Sequence, residues 1–334
     1  MKTKRKLTSL IAVFSAALLM FAAGCGSNTE TADKATDAAQ TATEAEKPKV
    51  KNDGDYDKVE YESEDGELTI TGLKDKKLTS VTLPSVIGGK AVTRVGSNAF
   101  ENSKLVMVVI PEGITGIGSS AFKDCASLKE VKVPDTLTSV GGYSFSGCSK
   151  LKELELSDNV SAIYMHAFEN SGLEEFEIPK KTTLINDYTF FGCKDLKEIS
   201  VSDSVIRIGD SAFENCESLA EVEIPDSVNV FGGAAFKGCS NLKKVEFGKG
   251  LPSVGTRVFE NCAKISGLEF PDNITSIGNH AFHGCKALSK VEFSDEIKSI
   301  GSNAFADCAL TSVKLPSGCE VSDNAFNSGV SIKS

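Results

Sequence analysis

The sequence predicts a β-rich α/β solenoid: a right-handed coil of parallel strands with about eleven rungs of ~23 residues. Three observations predict it. Phe recurs at 100, 122, 145, 168, 190, 213, 236, 259, 282, 305 and 326, at intervals of 21 to 23 residues. Ala precedes most of these Phe, and Cys follows most of them by three positions. Between them runs a short alternation of apolar and polar residues that ends at Pro or Ser. A length of 334 residues would otherwise suggest two domains, but a solenoid grows in one direction without dividing.

One unit, residues 219–239, reads LAEVEIPDSVNVFGGAAFKGC. Leu219, Val222 and Ile224 fit a short strand with one buried face. Pro225 then ends the strand, because it has no N–H for a ladder. The same stop stands at Pro111, Pro134, Pro179, Pro271 and Pro316. The next piece, V-x-x-I-G in most rungs, turns the chain at a glycine suited to a tight bend. The A-F-x-x-C piece reads as one turn of α- or 3₁₀-helix with Ala and Phe inward. No single unit buries its apolar side alone, so stability must come from stacked neighbours.

This unit resembles the repeats of BspA-like bacterial leucine-rich-repeat surface proteins. Residues 268–278, LEFPDNITSIG, followed by Ala281, Phe282 and Cys285, carry the likeness. Residues 64–72 and 83–92 resemble the extended first rung of that family. The likeness spans roughly residues 60–330, with Val228, Ile274 and Ile297 where common leucine-rich repeats carry an Asn ladder. It implies a leucine-rich-repeat solenoid and a cell-surface or secreted role in adhesion or protein binding. It transfers no residue-level binding motif.

The N-terminus has the construction of an export address. Residues 2–6 are KTKRK, and an apolar run from Leu7 to Ala23 follows. Ala22-Ala23-Gly24-Cys25 resembles a bacterial lipobox, with Ala22 in place of the usual Leu. Residues 1–24 are therefore expected to be a signal peptide, with Cys25 lipidated and holding the protein to a membrane. Residues 25–55, rich in Thr, Ala, Glu, Asp and Lys, are expected to form a flexible tether, since they bury too little apolar surface to fold. Residues 56–334 then form the solenoid, with 56–100 as its N-terminal capping rung. No later stretch approaches the ~20 apolar residues of a spanning helix.

Composition excludes several functions. The net charge is −10, and loss of the basic leader makes the exported chain more acidic still. Such a surface argues against nucleic acid, whose phosphates need a basic footprint. Ten cysteines in an exported chain invite a disulfide framework. However, Ser103 and Ser171 fill the same slot as Cys125, Cys148, Cys193, Cys216, Cys239, Cys262, Cys285 and Cys308. Stacked identical side chains also point the same way, whereas a bridge needs converging Cβ vectors. The ladder is read as buried free thiols acting as small hydrophobes. Cys319, aligned from Pro316, is expected to be buried as well.

Of three histidines, His280 and His283 have a metal-like spacing beside Cys285, but their slots are polar and outward elsewhere while Cys285 points inward. His166 is isolated in the sequence. No nucleophile–base pairing, phosphate loop or EF-hand spacing occurs, so no enzyme, metal or cofactor is predicted.

Function is thereby moved to the outward columns. One column carries Glu155, Glu177, Glu223, Glu246, Glu269 and Glu292. It reads either as a solvated face that resists aggregation or as a docking strip for a basic protein or Ca²⁺-bridged partner. Val106, Met107 and Val109 form a second candidate patch, unless residues before them cover it. The last half-strand, 330–334, offers an edge for weak self-association, which Lys333 opposes. The resulting expectation is a surface-anchored, non-catalytic module that binds a protein of a host or neighbouring cell through its strand face. A structural envelope scaffold is the alternative. Carbohydrate capture is a third reading, disfavoured by the lack of an aromatic column on the strand face.

Overall fold

The structure, a computed structural model, describes residues 52–333. The expected signal peptide, Cys25 and most of the expected tether lie outside the described residues. The described residues form a parallel-strand solenoid of about twelve turns. Residues 52–55 run along the first turn: Asp53 Oδ1 accepts the backbone N–H of Ser85 at 2.7 Å, and Asp55 Oδ2 accepts that of Thr82 at 2.8 Å.

The N-terminal end is closed by a different motif. Strands β1 (Val59–Glu64) and β2 (Glu67–Leu73) form an antiparallel hairpin. Its two-residue turn, Asp65-Gly66, has φ of 48° and 87°, the left-handed pair that a tight hairpin needs. After β3 (Ser80–Thr82), strand β4 (Val86–Ile87) pairs antiparallel with β5 (Lys90–Val95). β2 then pairs in parallel with β5, so the hairpin covers an edge that would otherwise be open.

Two ladders run through the rungs. The front ladder begins with β3, continues through Met107–Val109 and Glu130–Lys132, and reappears from Glu175–Glu177 to Ser331–Lys333. The side ladder begins with β5 and continues through Gly116–Ile117 to Glu320–Val321. Neighbouring rungs pair in parallel in short runs, the front ladder mostly two strands at a time, and within each run largely without slip, for instance Glu221↔Lys244 and Val222↔Val245. Front strands alternate exposed, buried, exposed, as the period-two pattern demands. Between the ladders, the Pro carbonyl accepts the N–H three residues on (Val228 to Pro225 at 3.1 Å), closing a β-turn where the strand stops.

The described residues contain no helix, which corrects the α/β reading to an all-β solenoid and the A-F-x-x-C segment to a chain of turns. Alternate N–H groups there serve different partners. Ala99, Glu101 and Ser103 donate three residues back within their rung, whereas Asn98, Phe100 and Asn102 donate to Ser119, Ala121 and Lys123 of the next. A helix would use all of its N–H groups internally. Splitting them binds one rung to the next, and it requires left-handed residues two before and two after each Phe from Phe100 to Phe305, such as Asn98 and Asn102, both at φ 57°.

The core is the stack of Phe rings. Consecutive rings from Phe100 to Phe326 stack, most of them within 10° of parallel and none inclined by more than 28°, with centroids 5.1 to 5.8 Å apart. That separation slightly exceeds the ~4.8 Å rung spacing and gives the offset stacking aromatic rings prefer. The widest gap, 5.8 Å, lies between Phe145 and Phe168. That is where Tyr164 replaces the glycine found four residues before Phe in most rungs.

These glycines do not have the bend role expected of them, since Gly118, Gly232 and Gly278 are not left-handed. They permit close approach instead: a Cβ at Gly118 would lie 2.6 Å from the backbone nitrogen of Ser97 one rung back.

Candidate functional site

Eight ladder cysteines are free and buried. They are more than small hydrophobes. Each thiol donates to the carbonyl of the Phe one rung back, for example Cys193 to Phe168 at 3.0 Å and Cys239 to Phe213 at 3.2 Å. Where Ser replaces Cys, the hydroxyl meets the next thiol: Ser103 Oγ lies 3.1 Å from Cys125 Sγ and Ser171 Oγ 3.3 Å from Cys193 Sγ. Burial pushes the Cys193 and Cys308 thiols up to about 12, so they stay protonated and unreactive at neutral pH. Cys319 occupies the slot that alignment from Pro316 gave it, with its N–H on the Pro316 carbonyl at 3.3 Å. It is half-buried rather than fully buried, because its rung lies at the end of the stack.

The outward columns are where partners can touch. All six front-column glutamates, Glu155, Glu177, Glu223, Glu246, Glu269 and Glu292, are exposed. Glu223 stands directly opposite Glu246, and Glu269 opposite Glu292. Like charges in that register repel, and lysines two residues away offset part of it. Lys244 pairs with Glu246, and Lys290 with Glu292 at 2.5 Å; each carboxylate holds its lysine above the ordinary ammonium range. Beside the column, Lys197 and Lys152 converge on Glu174 and lower its carboxyl. Among the described residues Glu155, Glu177, Glu223 and Glu269 form no ion pair within 4.0 Å, although Lys180, Lys244 and Lys290 lie near enough to Glu177, Glu223 and Glu269 to feel their charge.

Val106, Met107 and Val109 are half-buried in the front ladder. Met107 and Val109 lie between Ser80 and Thr82 on one side and Glu130 and Lys132 on the other. At the far end, Ser331–Lys333 pairs in parallel with Ser312–Lys314 through one edge, and Ile332 is 52% exposed.

The histidines differ from their sequence reading. His166 is not isolated: its ring lies between Tyr143 and Tyr188, at 4.3 and 4.7 Å and nearly parallel to both. Its Nδ1 meets Glu169 Oε2 at 2.9 Å. The signal was present in sequence, since these three residues share the slot two before Phe in consecutive rungs. His280 and His283 sit edge to face, and His283 Nε2 is 3.4 Å from Asp307 Oδ2. Among the described residues no three His, Cys, Asp or Glu side chains converge as ligands of one ion.

A second column invisible to a rung-by-rung reading lies two residues after Phe. It reads Asn102, Asp124, Gly147, Asn170, Gly192, Asn215, Gly238, Asn261, Gly284 and Asp307, all left-handed. Asn, Asp and Gly tolerate that conformation best. In its middle stretch Gly alternates with Asn or Asp, because a Cβ at Gly192 would come 2.2 Å from Asn170 Oδ1 and one at Gly238 2.3 Å from Asn215 Oδ1.

Comparison with known proteins fits this geometry. The profile of the BspA type leucine rich repeat region matches in overlapping stretches, 72–197, 115–243, 161–277 and 206–333. A leucine rich cell surface protein of Faecalibacterium prausnitzii is 28% identical, with TM-score 0.56 over 80% of this chain and 84% of that one. A leucine-rich repeat protein of Bacteroides ovatus is 23% identical over 83% and 98% of the two chains, with TM-score 0.49. No curated protein matches the sequence.

Proposed function

Because the chain belongs to the BspA-type leucine-rich repeat proteins, we propose that it is a surface-anchored, non-catalytic binding module that engages a protein of a host or neighbouring cell through its front ladder. The observation that carries this reading is the run of Glu155, Glu177, Glu223 and Glu269, exposed and without ion pairs on the front of a stacked solenoid. A rigid array of carboxylates loses little entropy on docking and complements a basic surface. Val106, Met107 and Val109 supply an apolar flank to the same face. Anchoring rests on Cys25, whose acyl chain would hold the solenoid at the membrane while residues 26–51 set its distance. Weak end-to-end association through Ser331–Lys333 belongs to the same reading.

The test is capture of surface proteins from host cells or neighbouring bacteria by the full chain. The parallel sample is a variant with Glu155, Glu177, Glu223, Glu246, Glu269 and Glu292 changed to Gln. The reading expects a basic partner retained by the natural chain and lost by the variant. Equal retention removes the strip from the interface, and no partner for either chain favours a structural envelope scaffold.

A further inference from the structure

The side ladder carries a feature that repeat stacking does not require. Its outward positions fall six and four residues before each Phe. In three successive rungs they are Ser253 and Gly255, Ser276 and Gly278, and Ser299 and Gly301. With glycine bare and serine short, the surface sinks into a groove of about 540 Å³. Hydroxyl and amide groups such as Ser276, Ser299 and Asn279 line it together with apolar Ile277 and Ile300, and Glu320 is its one charged residue.

Followed toward the N-terminus, the same columns turn apolar. Val230, Leu184 and Tyr164 are all exposed there, and Arg207 between them is neutralised by Asp187 at 3.0 Å. Tyr164 stands where eight of the eleven rungs have glycine, and its ring is 53% exposed. Seven of the ten exposed large apolar side chains in the described residues fall in this region, between Tyr143 and Val230. Such concentration marks an interaction surface rather than scattered exposure.

The ground beside Tyr164 is rigid. Tyr143, His166 and Tyr188 all take a left-handed φ of 57° to 60°, a conformation that bulky side chains avoid. Their mutual stacking and the His166–Glu169 contact hold them there. The left-handed slot recurs in the other rungs, with Arg257 and His280 also in it, but only here do three rings fill it in succession and stack on one another.

We propose that the side-ladder track from Tyr164 to Ser299 binds an extended, neutral polysaccharide laid across the rungs. The ligand is uncharged because the charges along the track are few and of both signs: Arg207 is paired with Asp187, Asp210 caps the Gly233 N–H, and Lys298 stands beside Ser299. It is polymeric because the hydroxyl and glycine positions recur in three successive rungs, ~4.8 Å apart, and the apolar positions continue the same columns beyond them. It is amphipathic on the scale of one ring, since sugar C–H faces suit Tyr164, Leu184 and Val230 while sugar hydroxyls suit the serines. An added peptide strand is the poorer fit. Strand addition needs a free edge, and the N–H groups of the side ladder already donate to the preceding rung, as Gly278 does to Val254 at 2.7 Å. This site lies on a different face from the proposed protein interface and does not depend on it.

The experiment is affinity electrophoresis of the full chain through gels containing soluble mannan, xylan, dextran or β-glucan, with alginate as the anionic control. Tyr164→Ala and Ser276→Arg probe the two halves of the track, with folding checked by circular dichroism and thermal melting. Ser299→Arg serves as the second groove variant if Ser276→Arg does not fold. The expected result is retardation by at least one neutral polysaccharide, weakened about tenfold or more in each folded variant. The front-column Gln variant should be retarded like the natural chain. Retardation by none of the neutral polymers, retardation by alginate alone, or natural affinity in either half-track variant overturns the proposal.

Discussion

The thiol of Cys148 donates to the carbonyl oxygen of Phe122 one rung back, at 3.1 Å, and the same carbonyl accepts the backbone N–H of Cys125 at 3.2 Å. One acceptor thus joins the turn of its own rung to the side chain of the next. Repeated along the solenoid, this arrangement explains why the slot admits Cys and Ser, since both are small and both can donate. It also makes the protonated thiol part of the structure, with consequences that can be measured.

Stability should fall with alkali. An unfolded cysteine releases its proton near pH 8.5, whereas the folded Cys193 and Cys308 do so only near 12. Between those values unfolding releases protons, so each pH unit lowers stability by about 1.4 kcal/mol per buried thiol. Below pH ~8 these thiols contribute no pH dependence. Urea midpoints taken from about pH 8 to about pH 10 should drop steeply, and Cys193→Ser should lessen that slope by roughly one proton. A slope unchanged by the substitution would show that Cys193 is not a buried thiol.

The Phe stack should weigh most in the middle. Phe213 is fully buried between two rings, so Phe213→Ala should cost about 3–5 kcal/mol in chemical unfolding. Phe326 is half-buried and stacks on Phe305, and no ring follows it among the described residues. Phe326→Ala should cost less than half as much. Equal losses would contradict the nearest-neighbour character of the solenoid.

The alternation of Asn with Gly should appear as coupling. Gly192→Ala meets both an unfavourable φ of +69° and the Asn170 Oδ1 atom. It should destabilise by more than about 1 kcal/mol. Asn170→Ala removes the second obstacle, so a double-mutant cycle should recover on the order of 1 kcal/mol. Strict additivity would remove the steric account and leave only the backbone term.

Anchoring is testable in cells. Labelled palmitate should enter the natural chain and not Cys25→Ser, and the variant should shift from the membrane fraction to the soluble one. Equal labelling of both chains would contradict acylation at Cys25.

Much of this fold can be read from the sequence because the Phe spacing registers every rung against the next. Leu219, Val222, Ile224, Phe236 and Cys239 all fall in the core where their slots place them. What a single rung does not reveal is what lies above and below it. The segment at Phe100 resembles a helical turn when viewed alone, yet Asn98, Phe100 and Asn102 direct their N–H groups to the next rung. The glycines before Phe look like bend residues, whereas Gly118 is needed for the backbone of Ser97. His166 seems solitary until Tyr143 and Tyr188 are aligned with it. Each of these features belongs to a column rather than a rung. The outward Glu column was legible for the same reason, but the ion pairs of Lys244 and Lys290 that distinguish its members depend on side-chain conformation.

The measurement that tests the ladder most directly is mass-spectrometric mapping of thiol alkylation in the native Cys25→Ser chain, with and without denaturant. The structure predicts that half-buried Cys319 reacts first and that Cys125, Cys148, Cys193, Cys216, Cys239, Cys262, Cys285 and Cys308 stay protected until the solenoid unfolds. Rapid native labelling at those eight positions, or disulfide-linked peptides between them, would contradict it.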